Sequence, residues 1–363
     1  MRSLVTLFVT AVATVAAIAQ APAPAPLPPT GGRGITEVHG IKVGHHTLGE
    51  RPTGCTVVLV DGQGVPGGMS QRGGAPGTRD TNLLDPTNAV DRVNAIVLSG
   101  GSSFGLEAAT GTVRWLEERK LGWPVGASGV VPIVPSAIIF DLPIGGKPQI
   151  RPTADCGYKA ADAAATTAVA EGNVGAGAGA TVGKMIPGRS MKGGIGSAAI
   201  TLPNGLVVGA IVAVNAVGDV VDPETGKVVA GIRTDDGKGL ADIRRLLRAG
   251  EVGRRSGPRT VENTTIAVVA TNARLTKAAI NRVAVMADDG LARAVVPAHT
   301  PSDGDTVFAL ATGRWDGEAN LAVIGALAAD VLAEAIVRAV AKAESLPGIP
   351  SAKELGTVPP RIK

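Results

Sequence analysis

A layered α+β fold, with helices covering antiparallel sheets, is predicted for this chain by three observations. Pro203-Asn204-Gly205 signals a hairpin between the apolar runs Ser197 to Leu202 and Leu206 to Val214. Two long segments of helical periodicity follow, Thr276 to about Val295 and Asn320 to Ala343. β-Branched runs bounded by turn residues lie among them, the clearest being Thr264 to Thr271, with Asn on either side. Hairpins mixed with long helices segregate into sheet and helix layers.

The first residues stand apart from that fold. Arg2 is a small positive region, Leu4 to Ala17 is apolar, and Ala17-Ile18-Ala19 before Gln20 matches a small-residue cleavage site. Residues 1–19 are read as a secretory signal peptide and 20–33 as a Pro/Ala-rich tether, stiff and extended. A secreted or periplasmic destination is expected. Residues 34–363 carry no boundary linker and are read as a single domain. No second apolar run of about eighteen residues occurs, so stable membrane insertion after signal removal is not expected.

Along the chain, Ile41 to His46 and Thr56 to Val60 read as strands. Gly62 to Asp80 reads as a glycine-rich loop holding Arg72 and Arg79, and Asn94 to Ser99 as a buried strand. Gly100-Gly101-Ser102-Ser103-Phe104-Gly105 turns into a helix ending near Lys120, with Leu106, Ala109, Val113 and Leu116 on one face. A proline-broken stretch ends in a strand at Ala137 to Phe140. Asp155 to Gly172 reads as an alanine-rich helix capped by Asp155 and stopped by Gly172. A glycine-rich run from Gly172 to Lys184 precedes the hairpin. A polar, basic segment from Asp219 leads to Glu262, and Thr306 to Ala311 is the last strand.

Composition excludes several classes. A net charge of +4 invites a nucleic-acid reading, but 4 Phe, 3 Trp and 1 Tyr offer little to stack on bases. Much of the basic charge gathers between Arg244 and Arg259, as a solvated loop would have it. The 50 glycines follow no period, which excludes collagen and implies tight turns. Two cysteines on so long a chain, Cys55 and Cys156, are expected as independent buried residues rather than a disulfide. His39, His45, His46 and His299 show no metal-ligand spacing, and neither metal nor cofactor is expected.

Three chemical readings compete. Gly175 to Lys184 lacks working parts of a phosphate loop, since Ala178 replaces the outer glycine and Met185 follows the lysine. Gly101-Ser102-Ser103-Phe104-Gly105 fits a nucleophile elbow at Ser103, with His299 and Asp288 or Asp289 downstream, or else a Gly-Ser turn capping the helix. The third reading centres on Asn263-Thr264. A cut there makes Thr264 N-terminal, placing an α-amine beside its own hydroxyl, a base and a nucleophile in one residue. Asp303 and Asp305 flank Gly304 at the mouth of a strand, Lys184 ends a glycine-rich loop and Asn215 ends an apolar strand. Alone, each of these is an ordinary turn, surface or capping residue. Together they supply an oxyanion donor, a cation and two carboxylates for such a nucleophile.

The ordered set of Gly100 to Gly105, Gly172 to Lys184, Ala213 to Asp219, Asn263 to Arg274, Asp289 to Ala294 and Asp303 to Gly313 resembles the DmpA-type aminopeptidase family. Its nylon-oligomer branch, the 6-aminohexanoate-oligomer endohydrolases, is the most similar. The resemblance covers nearly the whole chain after the tether. It implies a four-layer αββα sandwich of the N-terminal-nucleophile-hydrolase kind, autocleaved into residues 34–263 and 264–363. Thr264 then matches the nucleophile, Lys184 and Asn215 the supporting lysine and oxyanion asparagine, and Asp303 and Asp305 the acidic pair. Phe140 falls where that branch has a tyrosine. The activity implied is that of an amidohydrolase or aminopeptidase on small peptides or amide oligomers, expected as a homo-oligomer. A Ser103 esterase-like hydrolase and a non-catalytic binding protein on the same fold are the alternatives.

Overall fold

The structure is a computed structural model, and it describes residues 32–252 and 263–362. The signal-peptide reading, the tether up to residue 31, and the part of the basic loop from 253 to Glu262 lie outside the described residues. The strands that build the two large sheets are β1 (Ile41–Thr47), β2 (Gly54–Val60), β3 (Gly67–Gln71), β4 (Thr78–Arg79), β5 (Ala95–Ser99), β6 (Ser136–Ile138), β7 (Gly194–Thr201), β8 (Val207–Asn215), β9 (Thr264–Thr271) and β10 (Thr306–Ala311). The helices are α1 (Ala108–Glu118), α2 (Ala154–Asp162), α3 (Ile243–Arg248), α4 (Lys277–Ala294) and α5 (Leu321–Ala341).

One sheet runs β1-β2-β5-β6-β4 and the other β7-β8-β9-β10-β3. Their central pairs match in sense: β5 lies parallel to β6, β9 lies parallel to β10, and the neighbouring pairs are antiparallel. Three apolar cores separate the layers. Ile96, Leu98, Ile211, Ile266, Val268 and Phe308 fill the space between the sheets. Val57, Val97, Leu116 and Ala160 pack α1 and α2 against the first sheet. Val212, Val269, Ile280, Leu291, Leu332 and Ile336 pack α4 and α5 against the second. The result is an αββα sandwich, the architecture that the family resemblance implies.

Strand periodicity explains how β9 serves two cores. Ile266, Val268 and Ala270 face the other sheet, while Ala267 and Val269 face the helices. The helices begin where capping side chains allow. Thr276 accepts a hydrogen bond from the Ala279 N–H, and Asn320 accepts from Ala322 and Val323. Helix α4 runs through Gly290 because α5 crosses there, and a Cβ at that position would lie 2.1 Å from the Ala329 carbonyl oxygen.

Three expectations are corrected. The helix read over Asp155 to Gly172 stops at Asp162, and Ala165 instead exchanges backbone hydrogen bonds with Val43 of β1. The glycine-rich loop after Gly62 contains β3, an edge strand whose pattern is masked by glycine. Helix α4 lies so close that a Cβ on Gly68 would sit 2.4 Å from Asn281 Cα. Finally, Cys55 and Cys156 form a disulfide with Cα atoms 6.2 Å apart, because α2 packs over β2 and closes a separation of 101 residues.

Removing that bond with Cys156→Ala is expected to lower the unfolding free energy by about 2–5 kcal/mol. Urea unfolding under non-reducing conditions checks this, and dithiothreitol on the unaltered protein should give a similar shift.

Candidate active site

The pairing of β8 with β9 sets Asn215 opposite Thr264 at the end of the register. Asn215 continues the face of Ile211 and Ala213, and Thr264 that of Ile266, so both side chains belong to the space between the sheets. Asn263 forms a parallel bridge with Asp303, which brings the loop before β10 alongside the mouth of β9. The Gly304 N–H donates to the Asn263 carbonyl at 3.1 Å. Thr264 donates its hydroxyl to that same carbonyl oxygen. Thr264 is only 4% exposed.

The Asn215 amide is oriented from both ends. Its Oδ1 accepts the Thr181 N–H at 3.0 Å, and its Nδ2 donates to the Phe140 carbonyl at 3.1 Å, spanning from the second sheet to the first. Lys184 Nζ donates to the Asn215 carbonyl at 2.9 Å. Thr181, Lys184 and Phe140 also line a cavity of about 130 Å³ with Pro143, Ile144 and Ile186. Phe140 contributes its carbonyl to Asn215 and an apolar ring to this cavity.

The two aspartates play different parts. Asp303 Oδ2 accepts the Thr300 N–H at 2.8 Å, while its Oδ1 is buried with no hydrogen-bond partner among the described residues. Burial, and then the Asp305 charge, push the Asp303 carboxyl up, against the Thr300 hydrogen bonds and the Lys184 charge. Asp305 Oδ1 accepts the Thr265 N–H at 2.8 Å, so its hold on Thr264 runs through the next residue's backbone. Its other oxygen accepts the His299 N–H at 2.9 Å and lies 3.0 Å from His299 Nδ1.

Thus Thr264, Asn215, Lys184, Asp303 and Asp305 converge on one strand mouth. Ser103 does not join them. It is exposed on a 3₁₀ helix, and the left-handed residues of that turn are Gly101, with φ 85°, and Ser102, with φ 55°, both before the serine of a nucleophile elbow. His299, the histidine that reading needs, faces Asp305 and Asp288 instead.

Sequence reasoning missed two supports. Arg51 and Asp141 form a fully buried ion pair at 2.7 Å. Asp141 also accepts from Thr53 Oγ1 at 2.6 Å and the Gly101 N–H at 2.9 Å, which anchors the Gly100 to Gly105 turn beside Phe140. Lys192, fully buried, donates to the carbonyls of Gly177, Ala180 and Gly193, pinning the glycine-rich run that ends at Lys184. Burial pulls its pKa down to about 7, with the Asp141 charge opposing. A charge within an apolar run was the available signal for Asp141 alone, in Ile138-Ile139-Phe140-Asp141-Leu142; its partner Arg51 lies 90 residues away in a polar turn, and Lys192 sits among glycines with no such signal.

The αββα sandwich, with an enclosed polar strand mouth between its sheets, is the fold of the N-terminal-nucleophile hydrolases. The chain superposes with a TM-score of 0.67 on the L-aminopeptidase D-Ala-esterase/amidase of Ochrobactrum anthropi, at 21% identity over 93% of this chain and 98% of that one. The model of peptidase family S58 matches residues 33–353, and the chain belongs to that family. It is 46% identical to an uncharacterized aminopeptidase of Mycobacterium tuberculosis over 349 residues, covering 88% of this chain and 97% of that protein. It is 31% identical to a 6-aminohexanoate-oligomer endohydrolase of Agromyces sp. over 315 residues, covering 83% and 84%. The chain is accordingly an enzyme of the aminopeptidase and amidohydrolase kind.

Replacing Arg51 with Met strands the Asp141 carboxylate in the interior, and a loss of about 3–5 kcal/mol of stability is expected. A shift of the urea midpoint without a change in slope checks it.

Proposed function

We propose that the chain cleaves itself between Asn263 and Thr264 and then hydrolyses amide bonds with Thr264 as an N-terminal nucleophile. The observation that carries this reading is the Asn263 carbonyl, met by both the Thr264 hydroxyl and the Gly304 N–H. In self-cleavage, Thr264 Oγ attacks the Asn263 carbonyl carbon, and the Gly304 N–H steadies the developing oxyanion. The C–N bond breaks, the nitrogen takes up the proton lost by Oγ, and water then hydrolyses the resulting ester. The products are a chain ending at Asn263 and one beginning with the free amine of Thr264.

That amine has a reference pKa of about 7.7–8.0 and can accept its own hydroxyl's proton near neutrality. Thr264 Oγ then attacks the substrate amide, Asn215 Nδ2 donates to the oxyanion, and water releases the acyl group. An oxyanion donor of this kind is worth on the order of 3 kcal/mol. Lys184 favours the neutral amine by its charge, and Asp303 and Asp305 hold the strand mouth. The cavity beside Lys184 and Phe140 supports acyl groups of modest size, from small peptides or amide oligomers, and the similarity to an oligomer endohydrolase supports the latter class. The N-terminal pattern supports export to the periplasm or exterior, and a homo-oligomer is the assembly proposed.

Denaturing mass analysis should find two fragments, the smaller beginning at Thr264. Thr264→Ala should stay in one piece and lose at least about 10³-fold in turnover, as loss of a nucleophile does, whereas Ser103→Ala should match the unaltered enzyme. An intact chain that turns over substrate and depends on Ser103 would sink the reading. An intact chain without hydrolysis would favour a binding protein.

A further inference from the structure

His299 lies beside the proposed nucleophile strand without a role in the chemistry above. It adopts the left-handed conformation, with φ 55°, which turns both its backbone N–H and ring Nδ1 onto one oxygen of Asp305. On the opposite edge of the ring, Nε2 stands 3.5 Å from Asp288 Oδ1, an ion-pair separation. Neither of those two atoms has a hydrogen-bond partner among the described residues. Asp288 is fully buried on α4; its Oδ2 accepts from Ser70 Oγ at 2.7 Å and lies 3.3 Å from Arg72 Nε. Arg72 also reaches Asp289 at 3.6 Å. The charged groups around the imidazole are therefore Asp305 from its own loop, Asp288 from α4, and Arg72 from the segment after β3, with Asp289 paired to Arg72 behind them.

A neutral imidazole donates from one nitrogen only. Here both nitrogens face carboxylates, and deprotonating Nε2 would turn a lone pair toward the buried Asp288 oxygen. We propose that His299 is a positioning residue, an imidazolium clamp between Asp305 and Asp288 that fixes the carboxylate holding the Thr265 N–H, and hence the backbone of Thr264. This role rests on the reading of Thr264 given above.

The charge balance on the imidazole agrees with the geometry, while burial pushes the Asp288 carboxyl up, against the Ser70 hydrogen bond and the His299 and Arg72 charges. Burial by itself would lower the imidazole's pKa, but the Asp305 hydrogen bond and the charges of Asp288 and Asp305 outweigh it and leave the pKa raised, with Arg72 opposing. A raised folded-state pKa gives a contribution that is complete below the unfolded value of about 6.5 and disappears as pH rises through the folded one.

The test compares the full-length protein with His299→Ala, His299→Asn and Thr264→Ala, following chain splitting, turnover of a small amide substrate and thermal midpoint against pH. Asparagine tolerates the left-handed backbone and supplies an N–H near the Nδ1 position, yet cannot carry charge. His299→Ala should slow splitting and kcat by roughly 10- to 100-fold with KM little changed, as misplacement of a reacting group does. His299→Asn should recover much of that rate, and neither variant should show the alkaline fall in thermal midpoint expected of the unaltered protein. If Thr264→Ala is uncut and inactive while His299→Asn keeps the unaltered dependence on pH, the clamp alone is overturned. Turnover by Thr264→Ala overturns the threonine reading and the positioning role together.

Discussion

The antiparallel pairing of β8 with β9 is the constraint on which the rest of the site depends. Eight consecutive Cα partners run from Val208 with Thr271 to Asn215 with Thr264, and each alternate residue is buried in a different core. A slip of one residue would exchange the inter-sheet and helix-facing side chains along the whole strand, so the apolar contacts fix the register. The position of two polar residues at the strand ends is thus held by contacts among valines, isoleucines and alanines some distance away.

On that frame the polar groups act in tiers. Thr264 and Asn215 occupy the space between the sheets, where Lys184, Thr181 and Phe140 meet Asn215 through backbone or side-chain hydrogen bonds and the Asn263 carbonyl receives both the Thr264 hydroxyl and the Gly304 N–H. Asp305 works from behind, through the Thr265 N–H, and is itself held by His299. Buried polar networks of this kind fix one arrangement only when their members are satisfied. The partners of Asp305, Asp141 and Lys192 show how much of the interior serves that end.

Much of the fold was legible because its strongest signals are periodic and local. The 207–215 and 264–271 strands and the two long helices declare themselves by apolar spacing, and Asn204-Gly205 marks the hairpin. What escaped was set by contacts distant in sequence. Strand β3 looks like a loop because Gly68 must leave room for α4, and α2 ends early because Ala165 finds a partner in β1. The disulfide depends on how a helix packs over a strand. Within the site, Thr264, Lys184, Asn215, Asp303 and Asp305 were visible as residue types at strand and loop ends. His299 and Asp288 were visible only as candidate partners of Ser103; that they meet across layers beside Asp305 was not, because that contact joins segments distant in sequence to the strand at Thr264.

The cavity beside Asn215 has walls of a different origin from the strands. Phe140, Pro143, Ile144 and Ile186 stand on connecting segments, outside the eight-residue register of β8 and β9. Changes of size or shape at those four positions can therefore accumulate without disturbing the strand mouth. In this scaffold the shape of the cavity and the geometry of the strand ends are encoded in separate parts of the chain.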